Sequence, residues 1–503
     1  MQSDHIPEKI VAYSIYIITA FISLFSVYTF YYNQYAISAF VPDDYFYYTT
    51  IADTILQKGM SSFDGITLTN GYHPLYLAII VVLAFISGST KSLLFYILLQ
   101  VLIISSSIQI YRSCNKLYSL YSLSGIKKDL ILLISWFISY KLILLHMEIV
   151  ITIPLLYMFF YNIVKPQLQA SYTILSSLCL FILLSRIDTV ILLTLPLFFY
   201  FSALERKNKY LFFIHFLPAC IVIASYLYIN TLSFQSIIPI SGLAKGLTIY
   251  PFILSFHFWQ DFFYHPFELS LYVISIVFFI ISLSKKRDLI VQSMLFSIIL
   301  YFIVVSTRSD WALFDWYFYP LILVVPSSIL LFSNDVQTLY LKQSILYLFM
   351  IIIGLWSIKY MYRVHNALSS ESSNYTHAHS IHTWLLHNNI KIAAMGDRSG
   401  LTGYIHKGTI INLEGLVSNR KLIDSIEAQA ELQATLKEFR SEALIVSVYE
   451  KLLTDKSGRY IVYQPHPKQA GIYSKKMTGY LGNPDTIIYK NNDQCRTYIW
   501  DLR

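Results

Sequence analysis

The fold class is decided by residues 10–44, which read IVAYSIYIITAFISLFSVYTFYYNQYAISAFVPDD. Residues 10–32 are almost entirely apolar, and a helix of that length can cross the hydrocarbon core of a bilayer. Two adjacent carboxylates, Asp43 and Asp44, follow the apolar run and Pro42. The stretch therefore predicts an uncleaved first membrane span that delivers an acid pair to one membrane surface.

The whole chain has the composition of a polytopic membrane protein. Of its 503 residues, 56% are hydrophobic and only 13% are charged, whereas soluble proteins carry about 25% charged residues. We predict a mainly α-helical transmembrane bundle of about eleven spans over residues 1–361. The apolar runs that predict the spans are roughly 10–32, 90–111, 129–145, 149–164, 171–187, 188–204, 210–230, 268–284, 288–306, 316–333 and 343–361.

The distribution of basic residues predicts the orientation of the bundle. The net charge of +8 could suggest a nucleic-acid partner, but the basic residues lie in short loops between apolar runs. Such loops face the cytoplasm by the positive-inside rule. All of them do so only if the short run Leu75–Ile86 does not cross the membrane, so we predict that it forms an interfacial or re-entrant helix. The chain is then expected in the cytoplasmic membrane of a bacterium, with its C-terminal part outside.

Residues 362–503 differ in composition and predict a small α/β domain. The segments KIAAMG (391–396), GTIINLEG (408–415) and EALIVSVY (442–449) are short apolar runs bounded by turn residues, a pattern typical of strands. Residues 419–439 show helical periodicity, with a break expected within them. We therefore expect an extracytoplasmic α/β domain after the last span.

The predicted orientation brings many polar residues to the outer face. Ionisable residues at or near membrane depth are costly and usually face a cavity or a partner. These residues could form a functional site, but purely structural roles are also open. Glu148 and Asp188 could form structural ion pairs with His146 and Arg186. Lys245 and Arg308 could anchor lipid headgroups. The residues brought to this face are Asp43, Asp44, Asp64, Asn70, His73, His146, Glu148, Arg186, Asp188, Lys245, Arg308, Asp310 and Asp315.

These residue types suit the transfer of a sugar from a lipid phosphate. A carboxylate within hydrogen-bond reach can take the proton of an attacking hydroxyl group. A second carboxylate could orient the acceptor, hold a divalent cation or raise the pKa of the first. Lysine, arginine or histidine can neutralise the departing phosphate. The outer face thus offers every group type that this reaction needs.

The first outer loop also resembles a known family. Residues 41–77, VPDDYFYYTTIADTILQKGMSSFDGITLTNGYHPLYL, resemble the first outer loop of GT-C glycosyltransferases. They are most similar to bacterial members with an Asp-Asp-Ala-Tyr-Tyr-Tyr start, related to arabinofuranosyltransferases and the protein-mannosyltransferase-like group. Weaker resemblances keep the family order at HMEIVITIPL (146–155), LLSRIDTV (183–190), SIIPISGLAK (236–245), FDWYFYPLIL (314–323) and residues 396–419.

The resemblance implies a GT-C fold and an inverting transfer of one sugar from a polyprenyl-phosphate donor to a cell-envelope glycan, glycolipid or protein. It implies a carboxylate base in the Asp43–Asp44 element, and Asp43 is slightly favoured. No cofactor is expected with certainty; a divalent cation, if present, would be held by Asp43, Asp44 and Glu148. Donor-phosphate or substrate binding is expected from His73, Glu148, Arg186, Asp188, Lys245 and Arg308, and contact with the acceptor, or a role within the first loop, from Tyr47, Asn70 and Tyr72.

Two other functions are compatible with the same residues. A transporter or flippase for a lipid-linked glycan also needs basic groups, but it would more often show charges deep within its spans and an inverted repeat. A scaffold of a surface-glycan complex would place function in the C-terminal domain instead. Neither deep charges nor an inverted repeat is evident, so the enzyme is the leading hypothesis and the flippase is the alternative.

Overall fold

The computed structural model is a helical bundle that carries a small α/β domain at one end, which confirms the predicted fold class. We call the end that carries this domain the domain side. The basic loop 285–287 lies outside the described residues. Those are 5–121, 123–165, 171–284, 288–332, 343–369, 374–406, 408–448, 451–490 and 495–503.

Apolar helices build the bundle, and their outward faces are lined with exposed large hydrophobic side chains. Among the described residues, six helices are long and apolar enough to span a membrane by length and composition: α1, α4, α9, α12, α13 and α15. The predicted number of eleven spans stays a prediction. The helices are α1 His5–Tyr32, α2 Asp43–Lys58, α3 Pro74–Ser87, α4 Leu93–Leu120, α5 Gly125–Ile143, α6 Ile149–Val164, α7 Tyr172–Ser185, α8 Val190–Ser202, α9 Arg206–Phe234, α10 Ile240–Gly246, α11 Phe256–Phe263, α12 Pro266–Ser284, α13 Leu289–Arg308, α14 Val324–Leu331 and α15 Gln343–Ser369.

Helix α3 starts and ends on the domain side. It begins at Pro74, where a missing N–H costs a helix nothing, and it stops at Gly88, which adopts a φ of +80°. Just beyond that stop, the Thr90 hydroxyl donates to Asp53 of α2, and the Thr90 carbonyl accepts from Tyr404 of the C-terminal domain. The helix is about 21 Å long, shorter than the membrane core. Both ends of the helix over Leu75–Ile86 thus lie on the domain side, and its predicted failure to cross the membrane stays a prediction.

The C-terminal domain is built on a five-stranded mixed sheet. Its strand order is β2-β1-β3-β7-β6, in which β2, β1 and β3 are parallel and β7 and β6 are antiparallel additions; β4 and β5 form a separate hairpin. The three predicted strands are β1, β2 and β3. The strands are β1 Ile392–Met395, β2 Thr409–Asn412, β3 Ala443–Val448, β4 Tyr460–Gln464, β5 Met477–Leu481, β6 Thr486–Lys490 and β7 Cys495–Asp501.

The helices of this domain flank the sheet. The predicted break within residues 419–439 is present, and Gln429 in the connection adopts a φ of +52°. The helix that leaves the bundle continues past residue 361 to Ser369. The domain helices are α16 Asn374–His387, α17 Ser399–Ile405, α18 Arg420–Glu427, α19 Leu432–Glu438 and α20 Pro467–Ala470.

The domain packs on the first-loop helix α2, and most of that contact is made by α17. Close approach at this contact requires glycine at two positions. A Cβ on Gly400 would lie 2.4 Å from the backbone oxygen of Asp43, and a Cβ on Gly71 would lie 1.9 Å from the backbone oxygen of Leu416. The sheet domain therefore sits directly over the loop that carries the acid pair.

Candidate active site

A cavity of about 320 Å³ opens on the domain side of the bundle. Its walls come from α2, the α7–α8 turn, α10, the end of α13 and the 3-10 helix Asp315–Leu323. The C-terminal domain contributes Leu416. Of the predicted site residues, the cavity wall includes Asp44, Tyr47, Tyr72, His73, Glu148, Arg186, Asp188, Lys245 and Arg308.

Asp43 does not line this cavity, because its side chain is held by the C-terminal domain. Its Oδ2 accepts a hydrogen bond from the N–H of Gly400 at 2.7 Å, and its Oδ1 accepts from the N–H of Leu401 at 2.8 Å. These N–H groups belong to the first turn of α17, where backbone donors have no partner within the helix. Both carboxylate oxygens of Asp43 are therefore already engaged.

Asp44 is the acid that faces the cavity. Among the residues that the structure describes, no donor makes a hydrogen bond to its carboxylate. Burial raises the pKa of Asp44 to about 6, although nearby Lys245 works in the opposite direction. Burial also raises the pKa of Asp43, to about 7, against the lowering effect of its two backbone donors. An acid with a pKa near 6 is ionised at neutral pH and still basic enough to accept a proton.

Arg186 is the centre of an ion-pair network at the bottom of the cavity. Its Nη1 donates to Glu148, and its Nε and Nη2 donate to Asp188 at 3.0 and 2.7 Å. The guanidinium group is 2% exposed and lies 4.7 Å from the ring centroid of Tyr319. Arg186 thus forms structural ion pairs with both Glu148 and Asp188, which is one of the roles that the sequence left open for these acids. Such a pair holds the α6 and α7 ends in place and leaves little capacity for a substrate.

His146 and His73 differ in their relation to this network. His146 is fully buried away from the cavity, where its Nε2 lies 2.7 Å from Gln100, so it does not pair with Glu148. His73 lines the cavity, and its Nε2 lies 3.8 Å from Glu148 Oε1. Burial lowers the pKa of His73, which favours the neutral ring. Its Nδ1 is buried and has no hydrogen-bond partner among the described residues.

Lys245 and Arg308 are the cations with capacity left for a ligand. Lys245 Nζ donates to the hydroxyl of Tyr317 at 2.8 Å. Burial alone would lower the pKa of Lys245, but Tyr317 and Asp44 together raise it, so the ammonium group stays charged. The guanidinium carbon of Arg308 lies 4.5 Å from the ring centroid of Phe252. No carboxylate lies within 4 Å of either cation in the described part of the chain.

The three predicted acceptor or loop residues have different positions. Tyr47 and Tyr72 line the cavity, but the Tyr47 hydroxyl also accepts from Asn412 at 3.2 Å, and Tyr72 accepts from Ser61 at 2.8 Å. Asn70 is buried outside the wall, where its Oδ1 accepts from the N–H of Ile240 at 3.0 Å. Because Ile240 starts α10, Asn70 holds the helix that carries Lys245.

Four other acids and bases predicted on this face are outside the cavity. Asp64 closes its own loop by accepting from Ile66 and Thr67. Asp310 accepts from Ser255 and from the N–H of Tyr473, which ties the C-terminal domain to the end of α13. Asp315 lies on the far side of the 3-10 helix Asp315–Leu323, and His146 is buried as described above.

Sequence reasoning missed several residues of the site. Tyr317 orients Lys245, and Tyr48 donates to Glu148 at 3.4 Å. Glu414, of the C-terminal domain, is 3% exposed, and its Oε1 has no partner among the described residues; burial raises its pKa. Tyr317 and Glu414 both lie in segments that carried the family resemblance. The resemblance therefore pointed to these segments, but it assigned no role to either residue.

The three predicted metal ligands, Asp43, Asp44 and Glu148, do not form a site for a divalent cation. Asp43 is engaged by α17, and Glu148 is engaged by Arg186, so only Asp44 of the three has a free carboxylate. In the described ranges, no group of three or more His, Cys, Asp or Glu side chains is arranged to hold a metal ion. The three side chains do not fit a divalent cation in this arrangement, and no chemical step is assigned to one.

Comparison with known proteins gives distant structural likeness only. No family model and no curated protein matches the sequence. The chain is similar to ArnT from Cupriavidus metallidurans bound to undecaprenyl phosphate, with 10% identity and a TM-score of 0.46 over 85% of this chain and 93% of the other. It is similar to the Archaeoglobus fulgidus oligosaccharyltransferase in the apo form, with 11% identity and a TM-score of 0.47 over 85% and 69%. Likeness at this distance does not carry a function over.

Proposed function

We propose that the chain is a membrane glycosyltransferase that moves one sugar, with inversion, from a polyprenyl-phosphate donor to an envelope glycan, glycolipid or protein. One observation carries this proposal. A single cavity contains the carboxylate of Asp44, which accepts no hydrogen bond from a described residue. It also contains two cations, Lys245 and Arg308, with no carboxylate within 4 Å in the described part of the chain. The acid is the group that an acceptor hydroxyl needs, and the cations are the groups that a departing phosphate needs.

The reaction is a single displacement at the anomeric carbon of the donor sugar. The acceptor oxygen attacks this carbon as Asp44 takes the hydroxyl proton. The bond between the carbon and the phosphate oxygen breaks, and its electron pair leaves with the polyprenyl phosphate. One displacement inverts the configuration at the carbon. Lys245, oriented by Tyr317, and Arg308 neutralise the charge that grows on the phosphate.

The remaining polar residues position these groups. Arg186, Glu148 and Asp188 form a buried, satisfied network that fixes the ends of their helices. His73 contributes its ring to the cavity wall, and burial favours the neutral form of that ring. Asp43 is assigned to docking of the C-terminal domain, which replaces the slight sequence preference for Asp43 as the base. The active site is assigned to the outer face of the cytoplasmic membrane of a bacterium, with the C-terminal domain on the same side.

A deletion strain separates this proposal from the flippase alternative. Loss of a transferase leaves the envelope glycan one sugar short, and the polyprenyl-phosphate sugar accumulates on the outer face, where an impermeant oxidant reaches it. Loss of a flippase leaves the same lipid protected on the inner face. Mass spectrometry of the glycans and of the lipid after oxidation reads both outcomes. Unchanged glycans in the deletion strain would overturn the proposal.

A further inference from the structure

A second cavity lies on the other side of the 3-10 helix Asp315–Leu323. It encloses about 410 Å³ between the end of α5, the start of α12 and the last turns of α15, and it shares no lining residue with the first cavity. The dividing helix contributes Trp316 and Tyr317 to the first cavity and Asp315 and Phe318 to the second. The second cavity is therefore a separate site, one helix wall away from Lys245.

The second cavity has unbalanced positive charge. Lys141 is neutralised by Glu268, with Nζ 2.8 Å from Oε1. Asp315 has its Oδ1 3.6 Å from the Nδ1 of His265 and keeps one negative charge on the wall, so three cations and two carboxylates give the lining a net charge of +1. Lys359 and Arg363 also line the cavity, and no carboxylate of the described residues lies within 4 Å of either. Since they are four residues apart on α15, they share one face of the helix.

Aromatic side chains form the apolar part of the same cavity. Trp356 and Tyr360 stack with ring centroids 5.6 Å apart, and Phe40 lies 6.3 Å from Tyr360. The Tyr360 hydroxyl is buried without a hydrogen-bond partner among the described residues. Two cations with no carboxylate partner among the described residues, next to these aromatic rings, suit an anionic group attached to an apolar body.

The depth of these residues indicates where the ligand comes from. The face of α15 below them is lined with exposed apolar side chains, among them Ile351, Leu355 and Ile358. Lys359 and Arg363 lie roughly 24 and 30 Å from the start of α15 at Gln343, near the end of α15 that leads to the C-terminal domain. A helix that starts at one edge of the hydrocarbon core, about 30 Å thick, brings Arg363 to the other edge. Basic residues are disfavoured on the outer surface by the positive-inside rule, so a local role must favour them here.

We propose that this cavity binds the phosphate headgroup of an anionic phospholipid from the outer leaflet. The phosphate contacts Lys359 and Arg363, and the acyl chains lie along α15. The ligand packs against one side of the 3-10 helix Asp315–Leu323. The other side of that helix carries Tyr317, which orients Lys245. This lipid is distinct from the sugar donor, and the inference does not depend on the proposed glycosyl transfer.

The test uses the full chain in nanodiscs of phosphatidylcholine, with or without phosphatidylglycerol. Native mass spectrometry should find one retained phosphatidylglycerol on the wild type and an affinity about thirtyfold weaker for Lys359→Gln/Arg363→Gln. The control Arg206→Gln/Lys207→Gln removes the same charge from exposed positions at the start of α9. Melting of each variant in phosphatidylcholine alone checks that the fold is intact.

Each outcome decides the proposal. Equal retention by the wild type and the Lys359/Arg363 variant overturns it, and so does equal loss in the Arg206/Lys207 control, which would indicate general surface attraction. An arm with inorganic phosphate added to the nanodiscs that contain phosphatidylglycerol separates a free phosphate from a lipid headgroup as the ligand. If free phosphate competes fully at millimolar concentration, the site recognises phosphate alone and the lipid assignment is wrong.

Discussion

The two faces of helix α2 use identical carboxylates for different purposes. On the face toward the C-terminal domain, both oxygens of Asp43 accept backbone N–H groups of α17. On the face toward the bundle, Asp44 has the cavity before it and no donor among the described residues. The contrast shows that two carboxylates that are adjacent in sequence need not share a chemical role. One acid joins two domains, and the other is available for a substrate.

The largest effect is expected for Asp44→Asn. An amide cannot accept the hydroxyl proton, so kcat should fall about 10²–10⁴-fold with the melting temperature nearly unchanged. Release of polyprenyl phosphate from polyprenyl-phosphate sugars measures kcat. The control Asp424→Asn changes an exposed carboxylate on α18 and should leave kcat unaltered. Full turnover by Asp44→Asn would show that Asp44 is not the base.

Lys245→Gln should have the next largest effect. The ammonium group stabilises charge that develops on the phosphate, and loss of one such donor typically costs about 10²–10³ in kcat. Tyr317→Phe removes only the hydroxyl that orients Lys245, so it should cost less. Both are measured in the same release assay. An effect of Tyr317→Phe equal to or larger than that of Lys245→Gln would contradict the assigned order of roles.

The pH profile tests which acid is the base. Only the ionised carboxylate accepts a proton, and the pKa of Asp44 is raised to about 6. The wild-type kcat/KM should therefore rise with pH, level off above about 7 and be about tenfold below the plateau at pH 5. Asp43 has a pKa raised to about 7. A midpoint near 7 that is retained in Asp44→Asn would assign the base to Asp43 instead.

Asp43→Asn should have the smallest effect on turnover, less than about tenfold. Its amide oxygen keeps one of the two hydrogen bonds, and the lost one costs about 1 kcal/mol. The pKa of Asp43 rises from its ordinary value of 3.8 to about 7 on folding, so the folded protein binds the extra proton between these values. Stability should accordingly fall as pH rises from about 4 to 7. Asp43→Asn should weaken this dependence, and the part that remains comes from Asp44 and Glu414, whose pKa values burial also raises. Thermal melting across that range measures it.

Much of the fold could be read from local patterns in the sequence. Apolar runs indicated the long helices, and the number of basic loops required α3 to stay on one side. Strands β1, β2 and β3 followed from short apolar runs between turn residues. Strands β4–β7 were missed because they are mixed in polarity, such as TIIYK at 486–490. Their pairing depends on partners such as β7 against β3, about fifty residues apart in the chain.

The sequence by itself determined that the chain is a membrane bundle and that acids and bases gather on one side of it, because hydropathy and loop charge are local properties. The tertiary structure alone decided which of them are free. Successive residues of a helix point about 100° apart, and here Asp43 faces α17 and Asp44 faces the cavity. The groups that engage Asp43 and Lys245 lie 357 and 72 residues away, and only folding brings such partners into contact.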